Sequence, residues 1–247
     1  MPAPVGSTLL ELVNDVAQSV GHPKTEDVTS SFDEAIRRLQ FYVNMAGNEL
    51  VYMYNWDFLS KTADISIYAD SPNQNEKAFD LPADFKAMTD DTQWNRSTQM
   101  PAIGPIGPQD WQWLTIRSAQ ITTRMMWRIR GGKLWIKSPT VQPQPFSFEY
   151  LSKNWAVNGN TDVGQEQMVA NNDYHIFPPY LMVLYVRQKW FENEGYDATA
   201  AAQAFYKAFQ WFTGTDKAAT ALSLVPGVGY PYISAVRNIP DTGYGIG

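Results

Sequence analysis

The residues of this 247-residue sequence that are best suited to chemistry are two histidines and a few closely spaced acidic pairs. His22 and His175 have no second histidine at a metal-ligand spacing such as HxxxH, so each is expected to be a structural histidine. The sequence contains no GxSxG or P-loop motif, and the lack of cysteine excludes thiolate nucleophiles, disulfides and cysteine metal sites. We therefore expect no catalytic, cofactor-binding or metal-binding residues, and no cofactor.

Two acidic pairs carry the enzymatic alternative. Asp90-Asp91 and Glu192 with Glu194 have the residue type that glycoside hydrolysis needs, because that reaction uses two carboxyl groups flanking the bond. A chain with 25 acidic residues contains such pairs without any function, and turns or helix ends explain them better. The sequence therefore predicts that the protein is not an enzyme.

The composition is that of a folded protein, with 44% hydrophobic and 18% charged residues. The longest apolar run, residues 180–186, is far shorter than the ~20 residues of a membrane span, and the first residues lack the pattern of a secretory signal. We expect a soluble protein made in a cytoplasm. The net charge of -6 disfavours general binding to nucleic-acid phosphates.

Helical patterns occupy both ends of the chain. Capping-box spacings at residues 8–11 and 31–34 each open a run of apolar residues at helical intervals. The second run, which reaches Met53, predicts a helix of ~25 residues. Two more helices are predicted from Pro178-Pro179 to Gly195 and from Asp197 to Gly214.

The stretch YNWDFLSKTADISI, residues 54–67, marks the change from helix to strand, because its later residues alternate between apolar and polar. Trp56 and Phe58 are predicted to pack at this joint and to fix the angle between two parts of the molecule. Further strands are predicted at residues 77–81, 87–94 and 146–151, with a short helix after Pro108.

The hairpin around Gly131-Gly132 has the clearest local pattern, since two adjacent glycines suit a two-residue turn with positive φ. This turn places Arg130 opposite Lys133 and Arg128 opposite Trp135. One face is then apolar and is predicted to be core: Trp127, Ile129, Leu134 and Ile136. The other face is the candidate contact with a subunit or partner, with Arg128 stacking on the indole of Trp135; its members are Arg128, Arg130, Lys133, Trp135 and Lys137.

The order of these elements predicts an α+β protein. Helices from the N- and C-terminal parts, residues 1–58 and 175–214, form one helical bundle, and an antiparallel β-rich domain, residues 59–155, is inserted between them. A polar loop is expected at residues 156–174 and an extended C-terminal arm at residues 215–247. The arm has few charges, which favours docking on another surface through Val225, Tyr230, Tyr232, Ile233 and Ile239.

Charge is unevenly distributed within the predicted β-rich domain. Residues 57–91 contain eight acidic and three basic side chains, whereas residues 111–148 contain six basic and no acidic ones. The two segments either neutralise each other within one chain or form the complementary sides of a subunit that closes into a ring. The sequence leaves both interpretations open.

Several short motifs follow one another in a characteristic order. They are Asn55 to Leu59, Thr62 to Ile67, Phe79 to Phe85, Trp94, Trp111 to Leu114, Arg128 to Pro139 and Phe148 to Trp155. Their joint order and spacing, over roughly residues 31–212, resemble the head-to-tail adaptor proteins of short-tailed, podovirus-type bacteriophages.

The resemblance implies a structural virion protein without catalytic activity, located in the neck or tail and made in the host cytoplasm. Such adaptors form a homo-oligomeric ring, typically a dodecamer, between the portal protein and the tail nozzle protein, and the C-terminal arm commonly reaches the portal. DNA passes through the ring during ejection without sequence-specific binding, and no membrane is a partner. The alternatives are a glycan-binding or glycan-cleaving tail component and a β-rich binding module with no role in a virion.

Overall fold

The computed structural model describes residues 6–68, 76–116, 124–138 and 142–216. The helices are α1 (Leu9–Ser19), α2 (Glu34–Met53), α3 (Pro108–Ile116), α4 (Pro179–Asn193) and α5 (Thr199–Asp216), with a short 3-10 turn at Asp57–Leu59. The strands are β1 (Ser60–Ile67), β2 (Glu76–Asp80), β3 (Phe85–Met88), β4 (Trp94–Asn95), β5 (Met100–Pro101), β6 (Met126–Arg130), β7 (Lys133–Lys137), β8 (Gln144–Ser152), β9 (Ala156–Val157), β10 (Gly164–Gln165) and β11 (Tyr174–His175). This mixture of helices and antiparallel sheets agrees with the predicted α+β class.

Local capping determines where the first two helices begin. The Thr8 hydroxyl accepts the Glu11 backbone N–H, and the Glu11 carboxylate accepts the Thr8 N–H at 2.9 Å, so the first predicted capping box is confirmed. The second box is not used, because the carboxylate of Asp33 caps α2 instead. Helix α2 therefore has 20 residues, fewer than predicted, and Phe32 lies before it with 93% of its surface exposed.

Helix α4 is central to the helical part of the molecule, since it packs against α1, α2 and α5. The apolar faces of these four helices share one buried cluster, in which Tyr185 of α4 stacks on Phe205 of α5 with ring centroids 4.2 Å apart. The predicted end of α4 is confirmed by Gly195, which has a φ of 78°. Helix α5 continues past Gly214 to Asp216. Within the described ranges, no helix has both the length and the apolarity needed to cross a membrane.

The strands form three sheets. In the first, the order is β1-β8-β4-β5 and β3 also pairs with β8; the others are β2-β7-β6 and β10-β9-β11. The first two sheets bury a second apolar cluster that includes Ile67, Trp127, Leu134 and Phe146. The predicted hairpin register is confirmed, since Arg130 lies opposite Lys133 across Gly131-Gly132 and both glycines have positive φ.

Two segments differ from their predicted structure. The single strand expected at residues 87–94 is divided into β3 and β4 by a turn in which Asp91 has a φ of 60°, which confirms the turn interpretation of Asp90-Asp91. The polar loop expected at residues 156–174 instead contributes to a small sheet of β9, β10 and β11, which ends at His175. Asp173, which is fully buried, organises this segment by accepting the backbone N–H groups of Val169 and Ala170 at 2.7 and 2.8 Å.

The close approach of α2 to Trp155 predicts a measurable effect at Gly47. A Cβ at this glycine would overlap the Trp155 ring, which the hydrogen bond from its indole N–H to Asn48 holds in place at 2.9 Å. We expect Gly47→Ala to lower the free energy of unfolding by about 1–3 kcal/mol in urea titrations. Gly214→Ala is the matched control: nothing lies within 4 Å of its Cβ, so it should stabilise by about 0.5–1 kcal/mol. Equal effects of the two substitutions would contradict the packing explanation.

Candidate interaction surfaces

The segment predicted as a joint is an aromatic cluster centred on Trp56. Its side chain is fully buried, and the indole N–H donates to the carbonyl of Leu50 at 2.7 Å. Four rings surround the indole at centroid distances between 5.0 and 5.8 Å: Tyr54, Phe58, Phe177 and Phe209. Trp56 and Phe58 therefore connect the end of α2 to the segments before α4 and within α5.

Lys86 on β3 ties the first sheet to the same end of α2. Its ammonium group donates to the carbonyls of Val51 and Tyr54 at 2.6 and 3.1 Å and to the side-chain oxygen of Asn55 at 3.1 Å. A cation at the C-terminus of a helix satisfies free carbonyls and interacts favourably with the helix dipole. Burial lowers the pKa of Lys86. The sequence alone does not reveal this role of Lys86, because a lone lysine in a strand shows no link to a helix end that lies more than 30 residues away.

The charged face of the hairpin differs in one contact from the prediction. The guanidinium of Arg130, and not that of Arg128, covers the Trp135 ring at 3.9 Å from its centroid. The indole N–H of Trp135 also donates to the Arg130 carbonyl at 3.1 Å. Arg128 lies over Trp111 of α3, at 5.7 Å. Ile129, which was predicted to be core, is 38% exposed.

Lys137 is not on the exposed part of that face. Its side chain is 1% exposed, its ammonium lies 3.4 Å from the Glu76 carboxylate, and it is 5.0 Å from the Trp111 ring centroid. Burial lowers the pKa of Lys137, and the neighbouring Glu76 works in the opposite direction. Lys137 thus differs from Arg130 and Lys133, whose side chains remain accessible.

The acidic and basic segments of the sequence meet within this chain. Strand β2 pairs with β7, so Asp80 lies 3.0 Å from Lys133, and Glu76 lies 3.7 Å from Arg130 as well as close to Lys137. Mutual neutralisation, one of the two interpretations left open by the sequence, is therefore observed for these pairs. Exposed pairs of this kind contribute little to stability, typically about 0–1 kcal/mol.

The residues considered for chemistry have structural partners. His175 is fully buried, with its Nε2 2.9 Å from the Ser7 hydroxyl, and His22 packs edge-on against Trp190 at 5.2 Å. Glu194 accepts two hydrogen bonds from Arg38, at 2.9 and 3.0 Å. Among residues 6–68, 76–116, 124–138 and 142–216, no group of three or more His, Asp or Glu side chains has a metal-binding arrangement.

Large exposed side chains on the helices form surfaces that the sequence analysis did not single out. Each has about two thirds of its surface accessible, and they are Phe41 and Tyr52 on α2, Tyr180 on α4, and Tyr206 and Trp211 on α5. The signal was present in the sequence, because residues 206 and 211 lie away from the apolar stripe that contains Phe205 and Ala208. The candidate arm residues Val225, Tyr230, Tyr232, Ile233 and Ile239 lie outside the described residues.

Comparison with known families identifies the chain. A search of curated proteins gives no match. The model of the SU10 adaptor protein family matches residues 7–224, a range that contains every helix and strand described above. The match agrees with the head-to-tail adaptor resemblance carried by the motif order. The chain therefore belongs to the SU10 adaptor protein family, a family of structural adaptor proteins of bacteriophages.

Proposed function

We propose that this protein is a head-to-tail adaptor that forms a ring of about twelve copies below the portal and joins the portal to the tail nozzle. The family match over residues 7–224 is the observation that carries this proposal. The rigid connection at Trp56 and Lys86 suits a part that bears load between two assemblies. The protein is made in the host cytoplasm and functions in the virion without catalysis.

DNA passes through the lumen of the ring without sequence-specific binding. The net charge of -6 supports this role, because an excess of acidic over basic side chains disfavours binding to the DNA phosphates. Passage during ejection requires that DNA is not retained. No part of this role requires a membrane.

Partner contacts are assigned to two regions. We place the exposed tip of the hairpin against a neighbouring subunit or the nozzle, through Arg128, Arg130, Lys133 and Trp135, and we leave out Lys137 because it is buried. The arm that follows Asp216 docks on the portal, and its apolar residues Val225, Tyr230, Tyr232, Ile233 and Ile239 supply the contact.

Negative-stain electron microscopy of the protein mixed with its portal tests the proposal. Ring-shaped caps on one end of the portal are the expected result, and portals without added density would contradict the function. A truncation after Asp216 is the companion variant, because it keeps α5 and the hydrogen bond from the Asp57 N–H to Asp216 at 2.7 Å. It should fold normally and bind the portal at least about tenfold more weakly, which corresponds to about 1.4 kcal/mol. Undiminished binding would refute the role of the arm.

The glycan-binding alternative is less well supported. An aromatic platform for a sugar needs an accessible ring face, whereas Arg130 covers one face of Trp135 at 3.9 Å. Of the acidic residues considered for cleavage, Glu194 is held by Arg38 and Asp91 occupies a turn.

A further inference from the structure

Helix α5 has an outward face that nothing in the described part of the chain covers. We call it the α5 face and define it by Gln203, Tyr206, Lys207, Gln210 and Trp211, which lie on one side of the helix by their spacing. Tyr206 is 60% exposed and Trp211 is 63% exposed. Lys207 is the one charged residue of this face. Exposed aromatic residues around one charge are typical of a protein contact, where large rings act as anchors.

Helix α2 borders an open groove that is large enough to hold an aromatic side chain. The groove has a volume of about 420 Å³ and is lined by Asn48, Glu49, Tyr52 and Met53; we call it the α2 groove. Tyr52, which is 68% exposed, and Met53, which is 47% exposed, supply its apolar surface, whereas Asn48 and Glu49 are its polar residues. Its volume is sufficient for an indole ring.

The α2 groove contains a carboxylate with an unused oxygen. Tyr185 donates its hydroxyl hydrogen bond to Oε2 of Glu49, and the Lys189 ammonium lies 2.8 Å from the same oxygen. Neither Lys189 nor Tyr185 occupies Oε1, and no other described residue donates to it. Burial raises the pKa of Glu49, but Lys189 and Tyr185 outweigh that effect and the pKa is lowered, so the group is ionised at neutral pH. A second cation can therefore join the Glu49 carboxylate.

The two surfaces carry complementary charges. Lys207 has no ion-pair partner among residues 6–68, 76–116, 124–138 and 142–216, and Glu49 offers it the free Oε1. Lys207 and Trp211 are one helical turn apart, about 6 Å, as are Glu49 and Met53. When α5 lies parallel to α2 of a second copy, Lys207 meets Glu49 while Trp211 enters the α2 groove beside Tyr52 and Met53.

We infer that the α5 face of one copy packs into the α2 groove of the next copy. The contact joins two different surfaces, and a contact of this type generates a ring when the rotation between copies closes. This inference rests on the proposed function for its use in the ring below the portal. The contact between the two surfaces is tested separately from the binding of the ring to the portal.

Substitutions on the α5 face test the contact without changing the core. Lys207→Glu and Trp211→Ser should each raise the protein concentration needed for half-maximal ring formation on portals by about tenfold or more. Lys24→Glu makes the same change of charge at an exposed residue that belongs to neither surface, and Tyr180→Ser removes an aromatic side chain that is also 63% exposed. These two controls should assemble like the unmodified protein. Rings that form equally well with all four variants would overturn the inference and leave the adaptor function intact.

Disulfide trapping gives a direct test, because the chain has no cysteine of its own. The proposed alignment brings Gln203 of one copy next to Met45 of the other and leaves Lys207, Trp211 and Glu49 unchanged. Mixing Gln203→Cys with a Met45→Cys variant of different mass should give a mixed disulfide dimer under oxidation, since the bond requires Cα atoms within about 7 Å. Gln203→Cys mixed with Tyr180→Cys is the control, and it should give none.

The trapping experiment is run with portals and with concentrated free protein. Caps on portals without the mixed dimer would overturn the inference while the adaptor function stands. Portals without caps would refute the adaptor function, and the mixed dimer in free protein would then still support the contact. The lack of both would overturn both proposals.

Discussion

Replacing Trp56 with alanine is expected to lower the free energy of unfolding by about 3–5 kcal/mol. The side chain is fully buried among four aromatic rings, and the surrounding backbone is held by Lys86, so the cavity cannot close easily. The change also removes the donor that satisfies the Leu50 carbonyl at the end of α2. Urea denaturation followed by far-ultraviolet circular dichroism measures the effect.

Two further variants separate the causes of this loss. Trp56→Phe keeps most of the packing but removes the indole N–H, so we expect a loss of about 1–3 kcal/mol. Phe32→Ala removes an aromatic ring that is 93% exposed and should change stability by less than about 0.5 kcal/mol. If Trp56→Ala were as mild as Phe32→Ala, the cluster would not be the connection between the end of α2 and the neighbouring segments.

The hairpin shows which features can be predicted from sequence. Two adjacent glycines require a turn with positive φ, and the alternation on both sides then sets the register, so local residues were sufficient to predict that Arg130 lies opposite Lys133. The residues of the hairpin itself do not show which side chains of its charged face are covered by other parts of the chain. Trp111 of α3 lies against Arg128 and Lys137, and this long-range contact buries the lysine.

Residues 156–174 show a second limit of prediction. Their polar, Asn- and Gly-rich sequence is typical of a loop, because no apolar period indicates a strand. The order of the segment comes from one buried carboxylate, Asp173, and from the backbone of α1, whose Leu9 N–H donates to the Asp173 carbonyl at 2.8 Å. The bonds that Asp173 accepts from Val169 and Ala170 are local, but the bond from Leu9 joins two distant parts of the sequence, and the pattern of a single segment does not contain it.

The exposed apolar residues at the ends of α2 could be predicted only in part. The apolar residues at helical intervals run from Phe32 to Met53, and both ends of this stripe are exposed, because α2 begins later than predicted and Met53 borders the α2 groove. The sequence identified the apolar residues correctly. It did not show that the ends of the stripe extend beyond the partner helices, since that depends on where α4 and α5 lie.

Acid should destabilise the protein through His175, in a pH range that begins well above that of the carboxylates. Burial lowers the pKa of His175 to about 4, although a backbone hydrogen bond at Phe177 acts in the opposite direction. The imidazole of an unfolded chain has a pKa of about 6.5. Between these values the unfolded chain binds a proton that the folded chain does not. The stabilising effect of the neutral imidazole is therefore complete above pH 6.5 and is lost as the pH falls towards 4.

The expected size of this loss is about 3 kcal/mol, because each unit of pKa difference corresponds to about 1.4 kcal/mol. Urea unfolding at several pH values should show the decline in the unmodified protein, whereas His175→Gln should be nearly flat between pH 6.5 and about 5, where the carboxylates begin to titrate. The carboxylates with lowered pKa, such as Asp173 and Asp84, lose their contribution below about pH 4, because their unfolded pKa is about 3.9. Parallel curves for the two proteins above pH 4 would contradict the prediction. A difference between the two proteins in this range would show that the buried imidazole of His175 makes the stability of the protein sensitive to mild acid.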